Sequence, residues 1–395
     1  MVGSLGLVFL LGLLGAEGAR RLHLPRLVGM LAVGILTGPY VMNVLSPELL
    51  GISAQLRQIA LVIILIRAGL SMKWSDLKRV GRPALLMCFL PATLEVLAFA
   101  LIGPAVLGVT TREGALIGAV MGAVSPAVVV PAMVRLIDKK RGTDKRIPQM
   151  ILAGSSADDV FVMVLFTSLL GMAQGGEIRA ADFAQIPVAM VLGIGAGAAV
   201  GLALTWLFGW AKKMTKPVCL ITALGAAFLL YGAETQLKAF GIPMSGLLGV
   251  MAMAFVIRAR CESATADNLS GGANKLWSAA EILLFVLVGA AVDIRYMANA
   301  VAPALTMIAL GLMFRSVGTW LCLYGTNLSR RERLFCVIAY LPKATVQAAI
   351  GAVPLSMGLA CGSMTLSVAV LAILVTAPLG ALAIEQSAPR LLTRE

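Results

Sequence analysis

Charge is what this sequence has least of. Asp, Glu, Lys and Arg make up only 13% of its 395 residues, against roughly 25% in soluble globular domains. With 59% hydrophobic residues beside it, that deficit excludes a soluble domain. Histidine occurs once, as His23 in a basic stretch, which excludes histidine proton relays and histidine zinc sites. The six cysteines (Cys88, Cys219, Cys261, Cys322, Cys336 and Cys361) have no metal-ligating or redox spacing. Within apolar runs a thiol is an ordinary small apolar residue. Strand-like alternation is scarce, and the connections between apolar runs are too brief to hold a soluble domain. The first apolar run lacks the basic segment that opens a signal peptide. Its Arg20 and Arg21 follow the run instead, which predicts an uncleaved first helix.

Long apolar runs are abundant. A spanning helix needs about 20 such residues. Thirteen runs are candidates, the first of them short, at 3–16, 27–45, 53–72, 83–108, 114–134, 148–173, 186–210, 217–233, 241–257, 277–292, 301–326, 334–356 and 363–385. The expected fold is an all-α polytopic membrane protein, one transmembrane transporter domain over 1–395. The net charge of +13 would suit nucleic acid, but its placement argues otherwise. The loops after odd-numbered runs and the C-terminal tail hold about three quarters of the Lys and Arg residues, the asymmetry of loops that stay cytoplasmic. They include Arg20, Arg21 and Arg26; Lys73, Lys78, Arg79 and Arg82; Arg135, Lys139, Lys140, Arg141, Lys145 and Arg146; Lys212, Lys213 and Lys216; and Arg330, Arg331 and Arg333. The alternation predicts an outside N-terminus and a cytoplasmic C-terminus in the plasma (inner) membrane. Membrane lipids, anionic ones included, are the expected partners, and nucleic acid is not.

Two runs are interrupted. The fifth reads GAVMGAVSPAVVVPAMV, with Pro126 and Pro131; the twelfth reads FCVIAYLPKATVQAAIGAVP, with Pro342 beside Lys343. Proline removes a backbone donor and disrupts a helix. Either break alone could be an ordinary kink. An odd number of crossings separates them, so the two segments run in opposite directions. Matching defects in opposed halves predict an inverted repeat with a site at the midplane: residues 1–173, a linker helix over 174–215, and residues 216–395. Two crossed broken helices would bring unwound carbonyls and four half-helix ends together, and these can compensate a charge crossing the bilayer.

The few charges inside the spans are the chemical signal. They are Asp158 and Asp159 in the sixth run, Glu95 in the fourth, Arg315 in the eleventh, Lys343 in the twelfth and Arg67 in the third. Each costs roughly 2.5–3.5 kcal/mol at a helix centre unless it pairs, lines water or binds an ion. Adjacent carboxylates in a low dielectric cannot both ionise without a cation nearby. They share protons, bind Na⁺, or are neutralised by a base, and an exchanger needs those states to interchange. Hard monovalent ions want oxygen ligands, as Ca²⁺ and Mg²⁺ do. Ser125, Ser155, Ser156 and backbone carbonyl oxygen near Val124 could add to the carboxylates. Glu95 and Arg315 would pair as a structural couple, arginine being a fixed cation. Lys343 could cap a half-helix and hold the break in shape, or lose its proton when buried. Arg67 sits near a helix end, where its guanidinium could snorkel.

GAVSPAVVVP, SSADD and YLPKATVQAAIG, with IRAGL at 66–70, together resemble the sodium/proton antiporters of the monovalent cation:proton antiporter-2 superfamily, most closely the NHA-type branch. The resemblance implies a homodimer of thirteen-helix protomers and an elevator-type movement of a six-helix core. It implies Asp159 as principal ion ligand, with Asp158 as its neighbour. Bacterial electrogenic relatives place a lysine where this sequence has Arg315. Here Glu95 is available to neutralise that arginine, which would free Asp158 from a standing ion pair. The implied activity is exchange of Na⁺ or Li⁺ for H⁺, by a transporter rather than an enzyme and with no cofactor. A K⁺/H⁺ exchanger of the same superfamily and a Na⁺-coupled organic anion symporter are the alternatives; the aspartate pair argues against the symporter.

Overall fold

The computed structural model describes residues 1–22, 24–71, 81–173, 180–210 and 215–393. His23, Lys73, Lys78, Arg79, Lys212, Lys213 and the side chain of Ser156 lie outside the described residues. The helices are α1 (Val2–Arg21), α2 (Arg26–Thr37), α3 (Pro47–Gly51), α4 (Ser53–Ser71), α5 (Gly81–Met87), α6 (Leu90–Leu107), α7 (Thr111–Met121), α8 (Pro126–Asp138), α9 (Ile147–Ala173), α10 (Ala180–Trp210), α11 (Lys216–Ala239), α12 (Gly246–Arg260), α13 (Ser263–Ala290), α14 (Ile294–Cys322), α15 (Arg330–Ala339), α16 (Thr345–Gly351), α17 (Val353–Ser356) and α18 (Gly362–Leu391). No β-strand occurs among the described residues. Eight helical segments there are long and apolar enough to cross a membrane. The remaining expected spans fall on α2, the α7–α8 pair, α9, α12 and the α15–α17 series, which are short, interrupted or charged. Many large apolar side chains are left open on the helices: Leu101 is 72% exposed and Leu229 76%, as lipid-facing positions require.

The chain divides into two compact units: residues 1–54, 77–173 and 282–395, and residues 55–76 and 174–281. In the first, α6 packs along α7 and α14. Phe99, Ile117, Met121, Ala304, Met307, Val368 and Ala372 make a core from α6, α7, α14 and α18. Small residues let these helices close. A Cβ at Gly118 would lie 2.8 Å from Phe99 Cβ, and one at Gly311 would lie 2.6 Å from the Phe99 ring. Without a hydrophobic force between helices in lipid, such close approach supplies the packing.

In the second unit the structure corrects one expectation. The run at 277–292 begins much earlier, since α13 starts at Ser263. Its polar composition hides an apolar stripe of Ala266, Leu269, Ala273, Trp277 and Ala280, all buried at helical spacing. Arg67 has partners within this unit. Its Nε donates to Asn274 Oδ1 at 2.8 Å, and its guanidinium lies 5.8 Å from the Trp277 ring centroid, a cation–π contact.

Candidate functional site

Both broken runs begin with the same local device. Thr110 caps α7, accepting from Glu113 N–H at 3.3 Å, while Glu113 accepts from Thr110 N–H at 2.8 Å. Ser329 and Glu332 repeat this reciprocal capping at α15. The pattern Ser/Thr-x-x-Glu satisfies two orphan donors at once. Each half-helix then stops inside the first unit, α7 at Met121 and α15 at Ala339. Pro126 restarts the chain as the first residue of α8, where its missing N–H costs nothing. Pro342 and Lys343 lie in the unwound stretch between α15 and α16. Pro131, expected at the break, instead lies inside α8, because the interruption needs only one proline and falls before it. The two unwound stretches touch, Ser125 N–H donating to the Pro342 carbonyl at 2.8 Å.

Four buried ionic side chains meet there in one chain of contacts. Lys343 Nζ lies 2.6 Å from Glu95 Oε2. Arg315 Nη1 lies 2.9 Å from the same oxygen, and Arg315 Nη2 lies 2.9 Å from Asp158 Oδ2. All four residues are fully buried. The expected freedom of Asp158 is therefore corrected: the guanidinium fork holds Glu95 and Asp158 together. A lysine's point charge could not present two such edges. The cations also cap the half-helices. Lys343 Nζ donates to Met121 O, the last carbonyl of α7. Arg315 donates to Gly122 O and, through Nε at 2.6 Å, to Tyr340 O, just past α15. Positive charge at helix C-termini is favourable. The Tyr340 ring lies 5.2 Å from the guanidinium.

The expected ligands sit close by. Val124 faces Asp158 with its N–H, which donates to Oδ2 at 2.9 Å. Ser155 Oγ donates to the Leu152 carbonyl at 3.1 Å. Among the described residues, Ser125 Oγ, Asp158 Oδ1, Asp159 Oδ1 and Glu95 Oε1 are buried without a hydrogen-bond partner. Asp159 is 8% exposed where Asp158 is fully enclosed, and it takes no part in the ionic chain. With all four ionised, the two cations and two carboxylates of that chain balance, and Asp159 stands outside the balance. Three residues escaped notice in the sequence: Tyr340; Thr376, whose Oγ1 accepts from Lys343 N–H at 2.8 Å; and Gln347. Gln347 was detectable in principle, as a large amide inside an apolar run.

Fold and site define a multi-pass helical membrane protein with the antiporter fold. The transmembrane sodium/hydrogen exchanger family model matches residues 6–386. The chain is 33% identical over 385 residues to sodium/hydrogen exchanger 9B2 of Homo sapiens, covering 94% of this chain and 70% of that protein. It is 31% identical over 388 residues to sodium/hydrogen exchanger 9B1 of Homo sapiens, covering 94% and 73%. The structure matches that of the sodium proton antiporter MjNhaP1 from Methanocaldococcus jannaschii with a TM-score of 0.85, covering 99% of this chain and 98% of that one at 21% identity. The chain belongs to the sodium/hydrogen exchanger family.

Proposed function

We propose that this protein exchanges Na⁺ or Li⁺ for protons, with Asp158 and Asp159 as the shared site. The observation that carries the reading is the isolation of Asp159: a nearly buried carboxylate, outside the balanced ionic chain, with Oδ1 unpartnered. Left ionised and empty, it is a net charge in a low dielectric, which is costly. Either a proton or a monovalent cation relieves that cost, so the two compete and loading one expels the other. Among the described residues, Ser125 Oγ, Asp158 Oδ1 and Glu95 Oε1 are further buried oxygens with no hydrogen-bond partner. The protein works as a homodimer in the plasma (inner) membrane, its N-terminus outside and C-terminus cytoplasmic, by elevator-type movement of a core carrying both broken helices. Thirteen crossings arranged as an inverted repeat (1–173 and 216–395, with 174–215 as linker) suit that movement.

Asp159→Asn keeps the shape of the side chain but holds neither a proton nor a strong cation contact. Proteoliposomes under an imposed pH gradient, given Na⁺, Li⁺ and K⁺ in turn, should show exchange lost in this variant and retained in the wild type. Near-wild-type Na⁺-driven proton movement in Asp159→Asn would overturn the site. A K⁺ response exceeding those of Na⁺ and Li⁺ would overturn the ion assignment.

A further inference from the structure

Gln347 stands in the first turn of α16 and is fully buried. Its Oε1 accepts from Ala344 N–H at 2.8 Å, in the unwound stretch before α16. Its Nε2 donates across to the other unwound stretch, to Ala123 O at 2.9 Å, with Val120 O at 3.3 Å and Met121 O at 3.4 Å. The opposite amide orientation would set oxygen against carbonyls and NH₂ against an N–H, so the network itself fixes this assignment. One side chain thus joins the two breaks with both ends of its amide.

The consequence lies in a single peptide group. The Ala123 carbonyl that accepts from Gln347 and the Val124 N–H that donates to Asp158 Oδ2 belong to the same planar unit. Holding the carbonyl end therefore sets the direction of the N–H end, and hydrogen bonds in series polarise one another. Asp158 Oδ2 is then fixed between that N–H and Arg315 Nη2. Asp158 Oδ1 has no hydrogen-bond partner among the described residues.

We propose that Gln347 is a positioning residue for ion exchange: through the Ala123–Val124 peptide it orients Asp158 so that Oδ2 is held and Oδ1 stays open to the transported ion. This rests on the carboxylate site proposed above. If Gln347 only stabilised the breaks, its loss would lower the amount of folded protein or the maximal rate, but not the ion concentration at half-saturation.

Gln347→Met keeps length and volume without the amide, and Gln347→Glu keeps an acceptor for Ala344 N–H but replaces the donor to Ala123 O with a carboxyl oxygen. Each should be reconstituted alongside wild type and Asp159→Asn, with Na⁺- and Li⁺-dependent exchange measured per folded protein. The expected result is a KM raised about tenfold for both ions in Gln347→Met, equivalent to about 1.4 kcal/mol, and a raised KM in Gln347→Glu as well, with Vmax little changed. An unchanged KM, or a fall confined to Vmax, overturns the inference. So does failure of both variants to fold, because Gln347 would then be a brace for the breaks alone. Exchange surviving in Asp159→Asn instead removes the site proposal, and the two failures are thereby told apart.

Discussion

Arg315 does two things at once that set the behaviour of its neighbours. Its guanidinium holds Glu95 and Asp158 on separate nitrogens and caps the carbonyl ends of both broken helices. Removing one member of a buried ion pair strands its partner and typically costs about 3–5 kcal/mol. Arg315→Ala and Glu95→Ala should each lower thermal stability in detergent by an amount of that order. For an isolated pair the double variant would recover most of the loss, since no charge is stranded. Here Lys343 and Asp158 remain after both are gone, one cation and one anion no longer bridged. The double substitution should still cost less than the sum of the singles, with only partial recovery. Strict additivity in the cycle would mean that the two residues do not interact. The types and depth of all four ionic residues were legible in the sequence, because charges in apolar runs stand out. Their connection was not, because one guanidinium can serve two carboxylates only when three helices and two loops converge.

At the scale of elements, the half-helices explain how a broken run is tolerated. Each first half starts on a reciprocal Ser/Thr–Glu cap and ends on a cation. In α15 the capping carboxylate also reaches outside its own helix, Lys145 Nζ lying 2.8 Å from Glu332 Oε2. Glu332 lies before the apolar run at 334–356. Burial raises the pKa of its carboxyl, but the Lys145 ammonium and the Ser329 N–H and hydroxyl outweigh that and hold it below the ordinary carboxylate value. A carboxylate depressed in the folded state contributes stability that is fully present above its unfolded pKa, about 4.3 for Glu. That contribution is lost as pH falls through the lower folded value. Glu332→Gln should therefore flatten the acid limb of the melting temperature against pH below about 4.5, relative to wild type. Parallel acid limbs in the two proteins would mean that this pair contributes nothing to acid stability. The proline in YLPKA marks its break correctly; in VSPAVVVP only the first does. Proline at the first helical position is favourable and proline further in merely loses one bond. A pattern reading cannot tell these apart without the backbone path.

For the molecule as a whole, the distribution of basic residues predicts orientation. Single cysteines placed at Lys140 and Arg112 in a cysteine-free background should label from opposite sides of the membrane, Arg112 from outside in intact cells and Lys140 only after permeabilisation. Labelling of both from outside would contradict the positive-inside reading. Homodimer formation would be measured on the same material by its mass in detergent.

The sequence by itself determined that this chain lives in a bilayer, that it is helical, which residues carry buried charge and where two helices are interrupted. Those properties follow from local composition: a residue's transfer cost and a proline's missing donor do not depend on what lies across the fold. Only the tertiary structure decided which charges meet. The spacing of Asp158 and Asp159 says they are neighbours, yet it cannot say that one is bound to Arg315 and the other left outside the ionic chain. Successive residues on a helix point about 100° apart, so adjacent carboxylates enter different surroundings. The surroundings of Asp158 are made by α6, α14 and the stretch before α8, which converge only in the folded protein. Gln347 follows the same logic. Its amide type is visible in the chain, but its role depends on a peptide group far away in sequence and one hydrogen bond away in space.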